Sequence, residues 1–452
     1  MNIIIVGCGK VGQTLALQLS EDENNITVVD IDPVKVNDIA SKCDVMGVIG
    51  NGATRQTLID ADIKNADLLI AVTESDELNL LCCLIAKKAG KCQTIARVRN
   101  PEYSKEAPYL KEELALAMVI NPEQTAAEEI ARVLRFPSAI KIDTFAKGKI
   151  EIMKFRLPEE SPLVGCAVKD ISKKFGCDVL VCTIERGEDE AYIANGDFVF
   201  ESRDVVSIIA SPKDANTFFK KIEYKTNSVK NAMIAGGGGI THYLAQILIR
   251  SGIDVTIIEK NEKRCEELSA TLDGATIIHG DASEKELLLE EGLESTASFL
   301  SLTNLDEENI LLSLFAKSKS KGKLVTKINR IDFDDVIKTL DLDTVIYPKN
   351  ITAQHIVRYV RAMKNTIGSN VQSLLTLIKG KVEAAEFAIK ENSPIINIPL
   401  MELQFNARVL IAAISRKGKI IVPRGSDTIL PGDSVIIVSD HLGLTDIKDI
   451  LK

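Results

Sequence analysis

The chain has 452 residues, of which 45% are apolar and 26% charged, enough apolar surface to build folded cores in about three or four domains. Lysine and arginine number 55 against 64 acidic residues, a net charge of −9 that argues against a nucleic-acid-binding footprint. Aromatic residues make up only 4% and tryptophan is absent, so platforms for stacking single-stranded bases are also excluded.

In chain order, Met1 and Asn2 lead into Ile3-Ile4-Ile5-Val6, which reads as a buried strand rather than as a signal peptide. That strand runs into Gly7-Cys8-Gly9-Lys10-Val11-Gly12, and helical periodicity follows to Ser20. A G-x-G-x-x-G turn between strand and helix offers free backbone N–H groups to a pyrophosphate. Gly7 permits the tight turn, Gly9 the close approach of phosphate, and Gly12 the packing of helix on strand. Asp30 ends the second predicted strand (26–30), where a carboxylate accepts hydrogen bonds from both ribose hydroxyls and disfavours a 2′-phosphate. Further strands are predicted at 45–49, 67–72, 94–98 and 116–120, with a helix over Asp76–Ala89. Asn51, Thr73, Glu74, Asp76 and Arg97 follow or close these strands, and parallel strands converge their carboxyl ends on one crevice. Thr73, Ser75 and Asp76 also read as helix N-caps. Six strands with helices between them in about 120 residues predict a doubly wound parallel sheet.

From about 138 to 222 the pattern is strand-rich, read as a small mixed α/β domain, with Asn195-Gly196-Asp197 predicted as a turn between the apolar runs Ala191–Ala194 and Phe198–Phe200. Lys225–Lys230 is polar and aperiodic, a linker. The plan then repeats. Shifted by about 230 residues, Gly7-Cys8-Gly9 falls on Gly236-Gly237-Gly238, Asp30 on Glu259, and Asn51 on Asp281. Thr73, Asp76 and Asn79 fall on Thr303, Asp306 and Asn309, and Arg97 on Lys327. Four domains follow: 1–135, 138–222, 229–363 and 368–452. The second cradle, Gly236 to Gly239 with Ile240, has Thr241 where the third glycine belongs, and so places a branched side chain where helix meets strand. The segment Pro122–Arg135, repeated as Pro348–Arg361, is expected to be a hinge or crossover helix between nucleotide-binding and small domains.

No stretch of 18 apolar residues occurs, so no membrane-spanning helix is expected. The nine cysteines form no C-x-x-C pair and read as reduced cytosolic thiols, and His242, His279, His355 and His441 have no metal-ligand spacing. The small domains lack a convincing proton donor and substrate-orienting cation, and no Walker lysine follows the glycines. A duplicated nucleotide cradle without catalytic equipment reads as a sensor. A soluble NAD-dependent oxidoreductase stays open as an alternative.

The glycine turn, Asp30, Gly50-Asn51-Gly52-Ala53, Thr73-Glu74-x-Asp76 with Asn79, and Arg97 resemble the RCK (regulator of potassium conductance) domain, also called KTN. The trailing small domain resembles its C-terminal companion. Tandem units resemble the regulatory subunits of bacterial Trk potassium-uptake systems. That resemblance implies two Rossmann-like domains, each followed by a small mixed α/β RCK C-terminal-type domain. It implies binding of NAD(H), with ATP or ADP as alternatives, in both cradles. It further implies a homo-oligomer, a tetramer or dimer of dimers, on the cytoplasmic face of an integral-membrane potassium-conducting Trk subunit. An RCK-type regulator of another cation transporter or antiporter is the related alternative.

Overall fold

The structure is a computed structural model. It describes residues 1–452 except 23, 137–138, 146–149, 178, 188–189, 225–228, 331–333, 341, 367–370, 379–380, 406–408, 441–443, 445 and 452. Most of the expected linker at 225–230, the predicted domain limits at 138 and 368, and His441 therefore lie outside the described residues.

Six parallel strands form the first sheet: β1 (Asn2–Val6), β2 (Asn25–Asp30), β3 (Met46–Ile49), β4 (Leu68–Ala71), β5 (Gln93–Arg97) and β6 (Met118–Ile120), in the order β3-β2-β1-β4-β5-β6. β1 and β4 are buried along almost their whole length, as continuous Ile/Leu/Val runs in a sheet covered on both faces must be. The order reverses between β1 and β4, so the loops leaving these strands diverge and open a crevice at their carboxyl ends.

The next sheet is antiparallel, with β7 (Ala139–Phe145), β8 (Ile150–Arg156), β9 (Leu180–Arg186), β10 (Glu190–Ile193) and β11 (Val205–Ala210) in the order β10-β9-β11-β8-β7. The expected turn at 195–197 is formed, though the two runs it joins do not pair with each other. Asn195 does turn the chain, accepting from Phe198 N at its carbonyl and from Asp197 N at its side chain. But β10 pairs with β9, and Val199 bridges Ala167 instead. Apolar alternation marked a buried run here without naming its partner.

The second half repeats both sheets. β12 (Asn231–Ala235), β13 (Asp254–Glu259), β14 (Ala275–His279), β15 (Ser298–Ser301), β16 (Lys323–Lys327) and β17 (Thr344–Ile346) lie in the order β14-β13-β12-β15-β16-β17. β18 (Val371–Ile378), β19 (Val382–Ala388), β20 (Val409–Arg416), β21 (Lys419–Ile421) and β22 (Ser434–Ser439) follow in the order β18-β19-β22-β20-β21.

In space, like gathers with like. Residues 1–134 and 229–357 form one compact unit, and 135–228 with 358–452 another. Within the first unit the helix Pro122–Arg135 crosses over. Its buried stripe of Ala126, Ala127, Ile130 and Leu134 packs with Leu244, Ala245 and Leu248 of the second half. The i, i+4, i+8 spacing of Ala126, Ile130 and Leu134 makes that stripe, and the two alanines allow close approach. Asn121 adds a hydrogen bond from Nδ2 to Tyr243 Oη at 3.0 Å. Within the second unit the two antiparallel sheets share a core of Ile152, Cys182 and Ile209 against Ala384, Ala412 and Val438. Each sheet carries the same clasp: Arg186 holds Asp204 through two bonds of 2.9 Å, and Arg416 holds Asp433 at 2.9 and 2.7 Å.

Candidate nucleotide-binding crevices

The chain turns sharply at Gly7, whose φ of +104° is open to glycine and strained for any other residue. The helix Lys10–Glu21 then begins at Gly9 with no side-chain cap and no acid in its first turn. By contrast, Asp32, Thr54, Ser75 and Asn100 each cap a neighbouring helix. The glycine-loop helix thus leaves its N-terminal N–H groups and positive dipole end for an outside anion. Nothing lies within 4 Å of where a Cβ on Gly9 would stand, so the backbone there is open to a ligand. A Cβ on Gly12 would meet Gly7 O at 1.9 Å, which is why glycine sits where helix packs on turn.

Asp30 reaches under this loop. Its carboxylate accepts from Cys8 N at 2.6 Å and Asp32 N at 3.0 Å, locking loop to strand end. Burial, with Asp30 adding to it and Lys35 opposing, pushes the Cys8 thiol up to about 12, so it stays protonated and unreactive. Asn79 is fully buried and spends its whole side chain locally. Oδ1 accepts from Thr73 N and Thr73 Oγ1, both at 2.7 Å, while Nδ2 donates to Thr73 O and Arg97 O. Asn309 repeats this pattern with Thr303 and Lys327. Asp76 does not line the crevice. Its Oδ2 accepts from Arg99 N and Asn100 N, clamping the loop after β5, and Ser75 supplies the cap that Asp76 was read to offer.

The first crevice encloses ≈ 980 Å³. Of the residues expected from sequence, Gly7 to Val11, Asp30, Asn51, Thr73, Glu74 and Arg97 line it, whereas Gly12 and Asp76 lie behind. Arg97 donates from Nη1 to Thr73 O, and its buried Nε has no partner within the protein among the described residues. Burial, reinforced by Arg99, holds its guanidinium below the usual arginine range, so an added anion would be well received. Sequence reasoning missed Lys35, Arg99, Glu123, Pro348, Lys349 and Thr352 in this lining. Lys35 carried a signal, since it stands five residues after Asp30 as Arg264 stands five after Glu259. The last three come from the helix Pro348–Thr366 of the other half, a juxtaposition that only the crossover explains.

The second crevice is smaller, ≈ 580 Å³. Gly236 repeats the left-handed turn at φ +100°, and Glu259 repeats Asp30, accepting from Gly237 N at 2.6 Å and Asn261 N at 2.8 Å. The helix Gly239–Arg250 again starts without a side-chain cap. Thr241 fits without opening the turn: its hydroxyl donates to Gly236 O at 2.6 Å, turning a steric clash into a bond. Gly236, Gly237, Gly238, Glu259, Asp281 and Thr303 line the crevice, and Gly239, Ile240 and Lys327 do not. Lys327 is buried, held below the usual lysine range by burial against the pull of Asp306 and Glu123, and its Nζ donates to Asn304 Oδ1 at 3.1 Å.

Comparison with known proteins agrees with this duplication. The family model for the TrkA-N domain matches residues 3–122 and 232–348, and that for the TrkA-C domain matches 152–223 and 384–452. The chain belongs to the TrkA family. It is similar to the Trk system potassium uptake protein TrkA of Halomonas elongata, 31% identical over 100% of this chain and 99% of that protein. It is 30% identical to the TrkA homolog 1 of Methanosarcina mazei over the full length of both, and 30% identical to TrkA of Haemophilus influenzae over 100% of this chain and 99% of the relative. Among solved structures the GsuK channel bound to NAD shares the fold, with a TM-score of 0.64 at 16% identity, over 97% of this chain and 76% of the channel. The TrkA-family domains thus appear here as two Rossmann-like parallel sheets and two small antiparallel ones. Among the described residues no helix is long and apolar enough to cross a membrane.

Proposed function

We propose that this chain is a nucleotide-sensing regulatory subunit of a Trk-type potassium-uptake system, without catalytic activity of its own. The observation that carries the reading is the construction of the first crevice. An uncapped helix N-terminus behind a glycine turn, with Asp30 beside it, is closed from the other half by Pro348, Lys349 and Thr352. A ligand held there touches both halves at once and favours the arrangement in which both touch it. Only that differential contact shifts an equilibrium, and couplings of this kind are worth about 1–3 kcal/mol, or about 5–150-fold in affinity.

The residues fit NAD(H) or an adenine nucleotide. The open backbone at Gly9 and the helix end suit phosphates, the unpartnered Nε of Arg97 suits added negative charge, and the carboxylate of Asp30 suits ribose hydroxyls. Bound there, the nucleotide supplies charge and shape, and no bond need be made or broken. The names of the relatives, Trk system potassium uptake proteins, support a role in potassium uptake, and the proposal takes the partner to be a membrane potassium-conducting subunit met at its cytoplasmic face. Assembly of copies into a homo-oligomer would add such increments together.

The test is potassium uptake into vesicles carrying the membrane subunit, with this chain added, across a titration of NADH, NAD, ATP and ADP. The Gly9→Asp variant places a carboxylate where the phosphate would sit, in space that is open, and so spares the fold. Nucleotide-dependent flux that Gly9→Asp abolishes supports the reading. Flux indifferent to every nucleotide, or unaffected by Gly9→Asp, overturns it.

A further inference from the structure

The two crevices share a backbone and carry their cations at different ends. Around the first glycine turn Lys10, Arg97 and Arg99 line the space. The matching residues Gly239, Lys327 and Asn329 do not line the second crevice, and Lys327 is turned to Asn304. Past the carboxylate that ends the second strand of each sheet, at the ribose end, the difference runs the other way. Ile31, Asp32 and Val34 follow Asp30, whereas Lys260, Asn261 and Lys263 follow Glu259 at the same spacing. Each exchange adds one unit of positive charge, and the three residues of the second half all line its crevice.

Arg264 completes this end. It stands where the first half has Lys35, in the first turn of the helix Glu262–Thr271. Its Nε donates to Gly237 O and its Nη1 to Glu267 Oε2, both at 2.7 Å, which holds the planar guanidinium against the glycine turn. The carboxylates beside it are already engaged. Glu259 accepts from Gly237 N and Asn261 N, just as Asp30 is held in the first half, so the strand-end acid does not distinguish the two. Asp281 returns one negative charge where the first half has Asn51, and it accepts from Ser283 N at 2.9 Å. Glu262 and Glu266 belong to the same helix as Arg264 but do not line the space.

Resting on the nucleotide reading above, we infer that the second crevice selects an adenine nucleotide phosphorylated on the 2′-hydroxyl of its ribose, as NADP is, and that Lys260, Lys263 and Arg264 receive that phosphate. A strand-end carboxylate by itself disfavours a 2′-phosphate, and an arginine nearby accommodates one. Arginine does so through paired, charge-assisted bonds, and the two exposed lysines add point charges. The first crevice has isoleucine, aspartate and valine in the matching places and refuses the extra phosphate. The two halves thus read different ligands.

The experiment is calorimetric titration of the full chain with 5′-AMP against 2′,5′-ADP, and with NAD against NADP. Gly9→Asp occupies the first cradle and leaves the second to be read. A Cβ on Gly238 also meets nothing within 4 Å, so Gly238→Asp isolates the first crevice in the same way. In the Gly9→Asp chain the 2′-phosphorylated member of each pair is expected to bind at least ~10-fold more tightly, the scale of charge-assisted bonds to a phosphate. In the Gly238→Asp chain it is expected to bind more weakly than its partner. Lys260→Ile, Asn261→Asp and Lys263→Val together copy the first half, and aspartate keeps the helix cap as Asp32 does, so this variant should fold and lose the preference. A 2′-phosphate that brings no gain in the Gly9→Asp chain, or an equal gain in both chains, overturns the inference and leaves the nucleotide reading intact. A preference that survives the triple substitution overturns the role of the lysines. If no nucleotide binds the Gly9→Asp chain while the wild type binds one, the second crevice is not a nucleotide site and the inference falls. If the wild type also binds none, the underlying reading falls too.

Discussion

Asn79 is expected to be the pin that shapes the first crevice, and its removal should be felt locally. Its side chain is fully buried and makes four hydrogen bonds that tie the end of β4 to the end of β5. Asn79→Ala takes the partner from the Thr73 N–H and the Arg97 carbonyl, while the Thr73 carbonyl keeps only Arg97 Nη1. At about 0.5–1.5 kcal/mol for each net bond, the loss of all four sums to ~2–6 kcal/mol. The assay is hydrogen exchange of the segment 68–80, read by mass spectrometry, because exchange resolves an opening confined to one segment. The expected change is a fall in protection of about 30- to 20,000-fold, at ~1.4 kcal/mol per decade, with nucleotide affinity falling as Thr73 and Arg97 lose their alignment. Asn309→Ala is an internal replicate in the segment 298–310. Asn79→Asp keeps the acceptor but turns a carboxylate toward two carbonyls. Its native pKa then rises above the unfolded value, so the destabilisation deepens as pH rises past the ordinary carboxylate range. A protection loss below about fivefold for Asn79→Ala would refute the reasoning, since four buried bonds cannot be worth so little.

The remaining expectations are separate from that one. Gly12→Ala should distort the turn, because the new Cβ meets Gly7 O, and cost about 1–3 kcal/mol with loss of nucleotide binding, read by thermal melting and titration; an unchanged melt would show the helix free to move away. Thr241→Val removes the hydroxyl that donates to Gly236 O and should cost about 1 kcal/mol by the same melt, whereas a neutral result would mean shape alone suffices. Ile130→Ala empties the crossover core and should cost ~2–5 kcal/mol, exposing segments of both halves of the first unit to exchange together; exposure of one half only would contradict the crossover packing. His242 is held below the usual histidine range by burial, then by Arg264 and Lys105. Its unfolded form therefore binds a proton that the native form resists, and stability should fall as pH drops through ~6.5. His242→Gln should remove that acid-side loss in melts run between pH 7 and 5, and an identical pH profile would exclude His242 as the cause.

Much of the first unit was legible because its signals were local. The strand–glycine turn–helix succession, the acid at the end of the second strand and the recurrence 230 residues later each reside in short segments that the backbone reads alike in both halves. The predicted strands differ from the observed ones by one or two residues, as at 116–120 against Met118–Ile120. What failed to be legible depends on where side chains turn in three dimensions. Asp76 has the composition of a cap or a ligand, yet its carboxylate clamps the Arg99–Asn100 backbone, a partner 23 residues away. Thr241 looked like damage to a cradle, and its hydroxyl made the contact good. Phe198–Phe200 read as an apolar run after a turn, and nothing local said that Val199 would bridge Ala167. Lys349 and Glu123 could not be assigned at all, because a helix with one apolar stripe does not say which half it covers.

The central claim, that the first crevice receives a nucleotide through its glycine turn, is tested most directly by calorimetric titration of NADH, NAD, ATP and ADP into wild-type protein and Gly9→Asp. The account predicts saturable binding to the wild type and its loss from the first crevice in the variant, with the circular dichroism and melting profile unchanged. A wild type that binds none of these ligands, or a variant that binds them at the first crevice as well as the wild type does, would contradict it.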